Sequence, residues 1–291
     1  MKDFDLFLDK ESFSAWNKFI KNENNIGHVS RISNADDLRK HITNCMESSR
    51  STISRIKQDI GDLSPKVILE IGCSAGTNCL ALQEAFPEAL VIGIEPEKEA
   101  IAAAQSLHSA WTGQFPYFLQ GVGELVALPS QSVDLIVCHT VIEHVSNVPD
   151  VIQEIARILK PSGIAHLEAP NYLWPYEPHL EIWTIPKLGK GFVSFCARVQ
   201  GRSSMIPFLK HLQFVTPFQL EHLFLRHGLT WHNRMSDKIM ATMNGQGNIK
   251  KYKFLSKVLE LLGHLGLTSI VSKALVRTGV YPSVLYTLKQ P

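Results

Sequence analysis

Hydrophobic runs of strand length alternate with helical patterns along most of this chain. The runs predict strands at about 67–71, 90–94, 117–121, 133–138 and 164–169, with two more near 229–235 and 283–289. Strands that alternate with helical crossovers favour a parallel sheet with right-handed connections. The pattern therefore predicts an α/β fold, with a mainly parallel seven-stranded sheet and helices on both faces.

Three stretches fall outside this alternation. Residues 1–63 have a polar, helical pattern with a helix start expected at Ser33, and we predict an N-terminal helical cap. Residues 170–214, after the fifth strand, are rich in proline and aromatic residues, as is typical of a lid over a binding site. Residues 250–279 predict an amphipathic helical insertion with interleaved lysines. Its apolar face either contacts a membrane surface or lipid substrate, or packs on the domain or against a second subunit of a homodimer.

The turn after the first strand carries the strongest chemical signal. Glu70-Ile71-Gly72-Cys73-Ser74-Ala75-Gly76 ends that strand, and Glu95 ends the second strand. This is the layout of a nucleoside-binding βαβ unit, in which the later acid accepts from the ribose hydroxyls. A dinucleotide site needs Gly-x-Gly-x-x-Gly, but Ser74 and Thr77 occupy the second and third glycine positions. Glu70 would repel phosphates and suits an ammonium group. A ligand with a ribose, an ammonium and no phosphate points to S-adenosylmethionine.

Further motifs follow in the order seen in a known enzyme family. They are Gly121-Val122-Gly123-Glu124-Leu125, Val133-Asp134-Leu135-Ile136, Glu143-His144-Val145 and Lys160-Pro161-Ser162-Gly163-Ile164. With them the chain resembles class I S-adenosylmethionine-dependent methyltransferases over about residues 64–171. It is most similar to the branch of ubiquinone-biosynthesis, natural-product and surface-glycan enzymes. The resemblance implies a Rossmann-like methyltransferase domain over 64–291, a partly antiparallel last strand pair, and S-adenosyl-L-methionine as cofactor.

The expected cofactor site lies outside the carboxyl ends of the strands. Gly72 and Gly76 would let the backbone approach the methionine end of the cofactor. Glu70 would bind the ammonium or, alternatively, cap the following helix. Glu95 would accept from both ribose hydroxyls. The other predicted cofactor contacts are Pro96, Val122, Gly123, Glu124 and His139, of which the run 122–124 resembles the family segment beside the adenine ring.

The candidate catalytic residues are His139 and His144, which follow the fourth strand. A histidine with a pKa near neutral can take the acceptor's proton as the methyl group arrives. In-line transfer can also proceed by positioning alone, and Glu143-His144 can instead fasten its helix. Some family members that methylate RNA ends or catechols hold a divalent metal with Glu and His around such a segment. The RNA-end pattern is Glu-x-x-Glu-His, but Thr140 stands at the first glutamate position. We therefore expect no metal.

The predicted acceptor contacts lie in and beside the segment 170–214. They are Asn171, Tyr172, Trp174, Tyr176 and His179. The rings can stack on an aromatic or sugar face and His179 can act as a base, although these residues equally suit a rigid cover over the core. The leading hypothesis is in-line O-methylation of a small-molecule or lipid-linked acceptor in biosynthesis. Candidate acceptors are a sugar, a phenol or quinone, and a polyketide-type natural product.

Composition narrows the partners and the compartment. Lys and Arg total 29 against 27 Asp and Glu, so the net charge of +2 shows no nucleic-acid footprint. Scattered cysteines, and the lack of a signal-type or membrane-spanning apolar run, favour a cytoplasmic location. Two alternatives stay open at this point. One is a non-catalytic scaffold that retains the cofactor fold; the other is an NAD-dependent oxidoreductase, against which Ser74 and Thr77 count.

Overall fold

The protein forms two compact units in its computed structural model. The structure describes residues 10–21, 34–108, 111, 113–245 and 253–291, with the side chains of 253 and 254 left out. Among these, the first unit holds the residues up to Val141, Val145–His166 and Gln290. The second unit holds Ile142–His144, Leu167–Lys289 and Pro291. Ser33, the N-terminal residues 1–9 and residues 250–252 of the expected insertion lie outside the described residues.

The predicted seven-stranded sheet is present. Its strands are β1 Val67–Ile71, β2 Leu90–Glu95, β3 Tyr117–Gln120, β4 Val133–His139, β5 Leu159–Pro170, β8 Thr230–Asn233 and β9 Ser283–Lys289. The strand order is β3-β2-β1-β4-β5-β9-β8. Strand β1 pairs in parallel with β2 and β4, and β2 with β3, whereas β8 and β9 are antiparallel. This confirms the Rossmann-like α/β fold and its antiparallel last pair.

Helices α1 and α2 belong to the same compact unit as the first strands. The helices of this unit are α1 Lys10–Ile20, α2 Ala35–Ile60, α3 Thr77–Ala85, α4 Lys98–Gln105 and α5 Val148–Ile158. Trp16 from α1 and Ile42 from α2 share a core cluster with Leu80 and Ala103 of α3 and α4. Helix α2 is capped by Asn34, whose side chain accepts from the backbone N–H three residues later, rather than by the expected Ser33. The N-terminal helices are thus part of the first unit's core.

The second unit contains the segment after the fifth strand and the C-terminal helices. Its elements are β6 Tyr176–Glu177, β7 Ile182–Trp183, α6 Gly189–Val199, a 3-10 helix Ser203–His211, α7 Pro217–Arg226, α8 Arg234–Met243, α9 Lys253–His264 and α10 Thr268–Thr278. The segment 170–214 has its own core cluster, centred on Ile182, Val193 and Leu209. Helices α9 and α10 pack through Leu259 and Val271 on the α8 cluster. None of the helices in the described ranges could cross a bilayer.

Two strand boundaries differ from the prediction by more than one residue. Strand β5 begins at Leu159 instead of 164, because Gly163 does not form a turn but lies within the strand, packed closely against β4. A Cβ there would lie 3.0 Å from the backbone oxygens of Val133 and Asp134. Strand β8 ends at Asn233 instead of 235, because the Asn233 side chain accepts from two backbone N–H groups and starts α8.

Candidate functional site

The turn between β1 and α3 requires glycine at two positions. Gly72 and Gly76 have φ angles of +70° and +76°, in the left-handed region. A Cβ on Gly72 would collide with Val141, and one on Gly76 would lie 2.6 Å from the Phe118 ring. The Gly72 N–H donates to the Ile94 carbonyl at 2.8 Å, which ties the turn to β2. Both the backbone conformation and the neighbouring side chains therefore require glycine at these two positions.

The Glu95 carboxylate is fixed beside this turn. It ends β2 and is 9% exposed. Its Oε2 accepts from the Ser74 N–H at 2.9 Å, and its Oε1 accepts from the Glu97 N–H at 3.1 Å. Burial raises the pKa of Glu95, and the two backbone hydrogen bonds oppose that rise. Each oxygen keeps a second lone pair. Pro96 follows, and its carbonyl accepts from the Gln120 amide at 3.0 Å.

The Glu70 side chain is directed at helix α3. It is 2% exposed. Its Oε1 accepts from Asn78 Nδ2 at 2.8 Å, and its Oε2 accepts from the Cys79 thiol at 3.0 Å. Burial raises the pKa of Glu70 to about 7. These contacts match the helix-start alternative, and binding of an ammonium group by Glu70 stays a prediction.

The segment expected beside adenine lies between β3 and β4. Glu124 Oε1 accepts from the Ser146 N–H at 2.7 Å and the Asn147 N–H at 3.3 Å. Its carboxylate thus holds the start of α5. Gly123 lies against β1, where a Cβ would come within 2.7 Å of the Ile71 side chain. Val122 is 44% exposed. Exposed and buried residues thus alternate along this segment, and its contact with adenine stays a prediction.

His139 is the first member of a hydrogen-bonded chain that sequence reasoning missed. Its Nε2 lies 2.7 Å from His166 Nδ1, and His166 Nε2 lies 2.9 Å from Asp59 Oδ2. The Asp59 carboxylate can only accept, so His166 donates to it from Nε2. His166 then accepts at its Nδ1 from His139 Nε2. This assigns the remaining lone pair of His139 to its Nδ1. Burial, followed by the charges of His166 and Arg55, holds the pKa of His139 well below its usual value. The available signal was a histidine within the apolar strand β5.

His144 and His179 are brought together around Glu143. Glu143 is completely buried, and its Oε1 lies 3.9 Å from His144 Nε2 and 3.8 Å from His179 Nε2. His179 Nδ1 lies 2.7 Å from Glu177 Oε1, a partner that the motif search did not include. Burial raises the pKa of Glu143 to about 8 and lowers that of His144 to about 4. Glu143 and His144 therefore favour their neutral forms.

Asn171 has a structural role. Its amide donates to the carbonyls of Gly279 and Tyr281 at 2.6 and 2.7 Å, and its Oδ1 accepts from the Leu173 N–H. Both amide hydrogens are used by backbone oxygens, so the predicted acceptor contact through this amide is corrected to a tether for the segment that follows β5.

Aromatic residues of the segment 170–214 surround a small cavity. Tyr172 stacks on Phe214, with ring centroids 4.3 Å apart, and Tyr176 meets Trp183 edge-on at 5.3 Å. Together with Trp174, these tyrosines line a cavity of about 20 Å³, which is room for about one water molecule. Three of the predicted acceptor residues, Tyr172, Trp174 and Tyr176, thus line the same cavity, whereas His179 does not. A sugar or phenol ring would enter this cavity only after side chains move.

Comparison with protein families agrees with the fold and the turn. Residues 69–167 match the family model described as a methyltransferase domain. The chain carries a class I S-adenosylmethionine-dependent methyltransferase domain. The matched range runs from β1 into β5 and contains the glycine turn, Glu95 and His139.

Two curated relatives share this methyltransferase domain. The chain is 33% identical over 112 residues to a ubiquinone biosynthesis O-methyltransferase of Photobacterium profundum, which is 38% of this chain and 46% of the relative. It is 33% identical over 96 residues to the uncharacterized methyltransferase YcgJ of Bacillus subtilis, which is 33% of this chain and 37% of the relative. The chain thus spans less than half the length of these curated relatives.

Solved structures show the same fold. The crystal structure of Bacillus subtilis YcgJ has a TM-score of 0.50 at 19% identity, and the match covers 84% of this chain and 99% of that one. Phosphoethanolamine N-methyltransferase 2 of Haemonchus contortus, in complex with S-adenosyl-L-methionine, has a TM-score of 0.51 at 15% identity. That match covers 83% of this chain and 52% of the other. At these identities the likeness concerns the fold.

Proposed function

We propose that this protein transfers the methyl group of S-adenosylmethionine to an oxygen atom of a small-molecule or lipid-linked acceptor. The observation that carries the proposal is the Glu95 carboxylate, held by two backbone N–H groups beside the glycine turn. A carboxylate fixed in this way accepts from both hydroxyls of a ribose without having to reorganise. The methyltransferase domain and the relative named as an O-methyltransferase support the same reading.

The cofactor is bound by residues of the first unit. The left-handed turn at Gly72 and Gly76 lies beside the methionine part, and Glu95 accepts from the ribose. An ammonium group near Glu70 would favour the ionised form of a carboxyl whose pKa burial raises to about 7. The 122–124 segment borders the adenine ring.

The hydrogen-bonded side chains of Asp59, His166 and His139 form a proton relay that receives the acceptor's proton. The acceptor oxygen attacks the methyl carbon in line, the O–CH₃ bond forms, and the S–CH₃ bond breaks to give S-adenosylhomocysteine. The hydroxyl proton passes to His139 Nδ1, while His139 gives its Nε2 proton to His166 over the 2.7 Å contact. The resulting positive charge on His166 lies 2.9 Å from the Asp59 carboxylate, which stabilises it.

The acceptor is bound by the aromatic segment of the second unit. Tyr172, Trp174 and Tyr176 offer faces for stacking on a ring or sugar. The same segment exposes apolar side chains, with Trp183 and Ile185 each 58% exposed. We infer that a lipid-linked acceptor would cover these exposed apolar side chains.

The proposal is tested by separate binding and turnover measurements. Titration calorimetry with S-adenosylmethionine should show one site per chain. Incubation with a panel of phenols, quinols, sugars and lipid-linked sugars should release S-adenosylhomocysteine and an O-methylated product, detected by mass spectrometry. Cofactor binding without transfer across the panel would favour a scaffold, and tighter binding of NAD would favour an oxidoreductase.

We expect variants of the proton relay formed by Asp59, His166 and His139 to have a lower kcat than wild type. His166→Gln, which cannot take a proton, should lower kcat by about 100-fold and leave cofactor affinity unchanged. Asp59→Asn should lower kcat less, and the loss should shrink as the pH rises and the acceptor ionises by itself. Asp62→Asn is the matched control, because Asp62 is an exposed acid just after α2, the helix that contains Asp59. An equal kcat in wild type and His166→Gln would remove the relay from the mechanism.

A further inference from the structure

Three metal-ligand atoms converge in the second compact unit. One atom each of Glu143, His144 and His179 lies within 4.8 Å of the other two. The histidine nitrogens are 3.9 and 3.8 Å from Glu143 Oε1, too far for hydrogen bonds. Atoms bound to one ion at about 2.1 Å lie roughly 3–3.5 Å apart in tetrahedral or octahedral geometry. Small side-chain rotations would therefore close the three around an ion.

Glu143 supplies the strongest reason to place a cation there. The residue is 0% exposed, and within the described ranges neither carboxylate oxygen has a hydrogen-bond partner. An isolated buried carboxylate costs several kcal/mol, which is why such groups are normally paired, coordinated or protonated.

The orientation of His179 is set by a second carboxylate. Glu177 only accepts, so His179 donates from Nδ1 to Glu177 Oε1 at 2.7 Å. The lone pair of a neutral His179 then lies on Nε2, which faces Glu143 Oε1 at 3.8 Å. When Glu143 is ionised, two acceptor atoms thus face each other, and a cation between them would satisfy both. A carboxylate that orients a histidine in this way is the usual outer partner of a metal-bound imidazole.

The surroundings hold the cluster in place. The Phe208 ring lies 5.6 Å from the His144 ring and 5.5 Å from the His179 ring, measured between centroids. The Gln213 N–H donates to the Glu143 carbonyl at 2.6 Å, and the Leu180 N–H donates to Glu177 Oε2 at the same distance. An apolar wall and fixed backbone are the conditions that preorganise a metal site.

We propose that Glu143, His144 and His179 bind one divalent transition-metal ion of the zinc type. Two imidazoles and one carboxylate suit Zn²⁺ or Fe²⁺, whereas Mg²⁺ and Ca²⁺ prefer oxygen ligands alone. Three protein ligands leave a coordination position for an oxygen ligand such as water. This site is independent of the proposed methyl transfer, because it needs only residues of the second unit and is measured without S-adenosylmethionine.

The test uses the full chain, purified without a histidine tag and stripped with EDTA. Calorimetric titration with Zn²⁺ should show one ion per chain with a Kd below about 10 µM. Co²⁺ should give visible absorption bands of nitrogen and oxygen coordination at the same stoichiometry. Mg²⁺ should bind more weakly than either ion.

Variants identify the ligands. His144→Gln, on the most exposed ligand, and His179→Gln should each weaken Zn²⁺ binding at least 10-fold, with circular dichroism as the check on folding. Glu177→Gln should weaken it by about 10-fold through the orientation of His179. His222→Gln, on an exposed histidine of α7, is the matched control and should bind as wild type. Wild-type binding weaker than about 100 µM, unchanged binding in both ligand variants, or tighter binding of Mg²⁺ than of Zn²⁺ would overturn the proposal.

Discussion

Glu95→Ala should weaken S-adenosylmethionine binding by roughly 1–3 kcal/mol, or about 5- to 150-fold, as measured by titration calorimetry. The variant loses the acceptor for both ribose hydroxyls. It also loses the two hydrogen bonds, at 2.9 and 3.1 Å, that hold the Ser74 and Glu97 N–H groups. Part of the effect therefore comes from a looser turn, and the test has to separate this from the lost ribose contact.

A pair of ligands makes that separation. Wild type should bind S-adenosylhomocysteine more tightly than its 2′-deoxy analogue, and Glu95→Ala should bind the two almost equally, because the group that discriminates between them is gone. Glu99→Ala, a half-buried acid in α4, is the matched control and should keep the wild-type preference. If Glu95→Ala discriminates as strongly as wild type, Glu95 does not contact the ribose.

Glu70→Gln should change stability in a pH-dependent way. Burial raises the pKa of Glu70 from 4.5 to about 7, so the native state keeps a proton that the unfolded chain has released. The contribution of the carboxyl to the free energy of unfolding is fully present below its unfolded pKa and is lost as the pH rises through about 7. The loss amounts to about 3 kcal/mol. A glutamine amide does not titrate, so it has no such loss. The free energy of unfolding of Glu70→Gln, relative to that of wild type, should therefore be higher at pH 8.5 than at pH 4.

Urea unfolding of both proteins at the two pH values measures this difference. Other titrating groups are common to wild type and variant and cancel in the comparison. Glu84→Gln, in α3 and in an exposed pair with Arg50 at 2.6 Å, should show no comparable pH dependence. A difference between Glu70→Gln and wild type that stays constant with pH would contradict a raised Glu70 pKa. We also expect Glu70→Gln to bind S-adenosylmethionine more weakly, since the partner for the ammonium group is lost.

The boundaries of β1 and β2 were predictable because their determinants are local. Each is a continuous apolar run, as a strand buried on both faces requires, and each stops where a turn begins. The turn at Gly72 and Gly76 was predictable for the same reason, since a left-handed backbone selects glycine whatever surrounds it. The amphipathic pattern likewise located α9 and α10.

Errors arose where neighbouring elements decide the local structure. Gly163 has the sequence context of a turn, yet it lies within β5 because its missing side chain admits the backbone of β4. Asn233 continues a strand pattern, yet its side chain caps a new helix. The contact of Glu124 with the start of α5, 22 residues further along the chain, was likewise not apparent from the sequence. Each outcome depends on which chain segment comes to lie alongside.

Sequence alone was sufficient for the sheet, the glycine turn and the cofactor class, because these follow from short-range backbone preferences and from residues at the ends of successive strands. Only the tertiary structure joined Asp59 to His166, which are 107 residues apart, and His179 to Glu143. The metal pattern read along the chain is incomplete at Thr140, but folding places a histidine from the segment after β5 beside Glu143. Contacts between distant segments leave no fixed spacing in a sequence, so these chemical groups become recognisable only once the chain has folded.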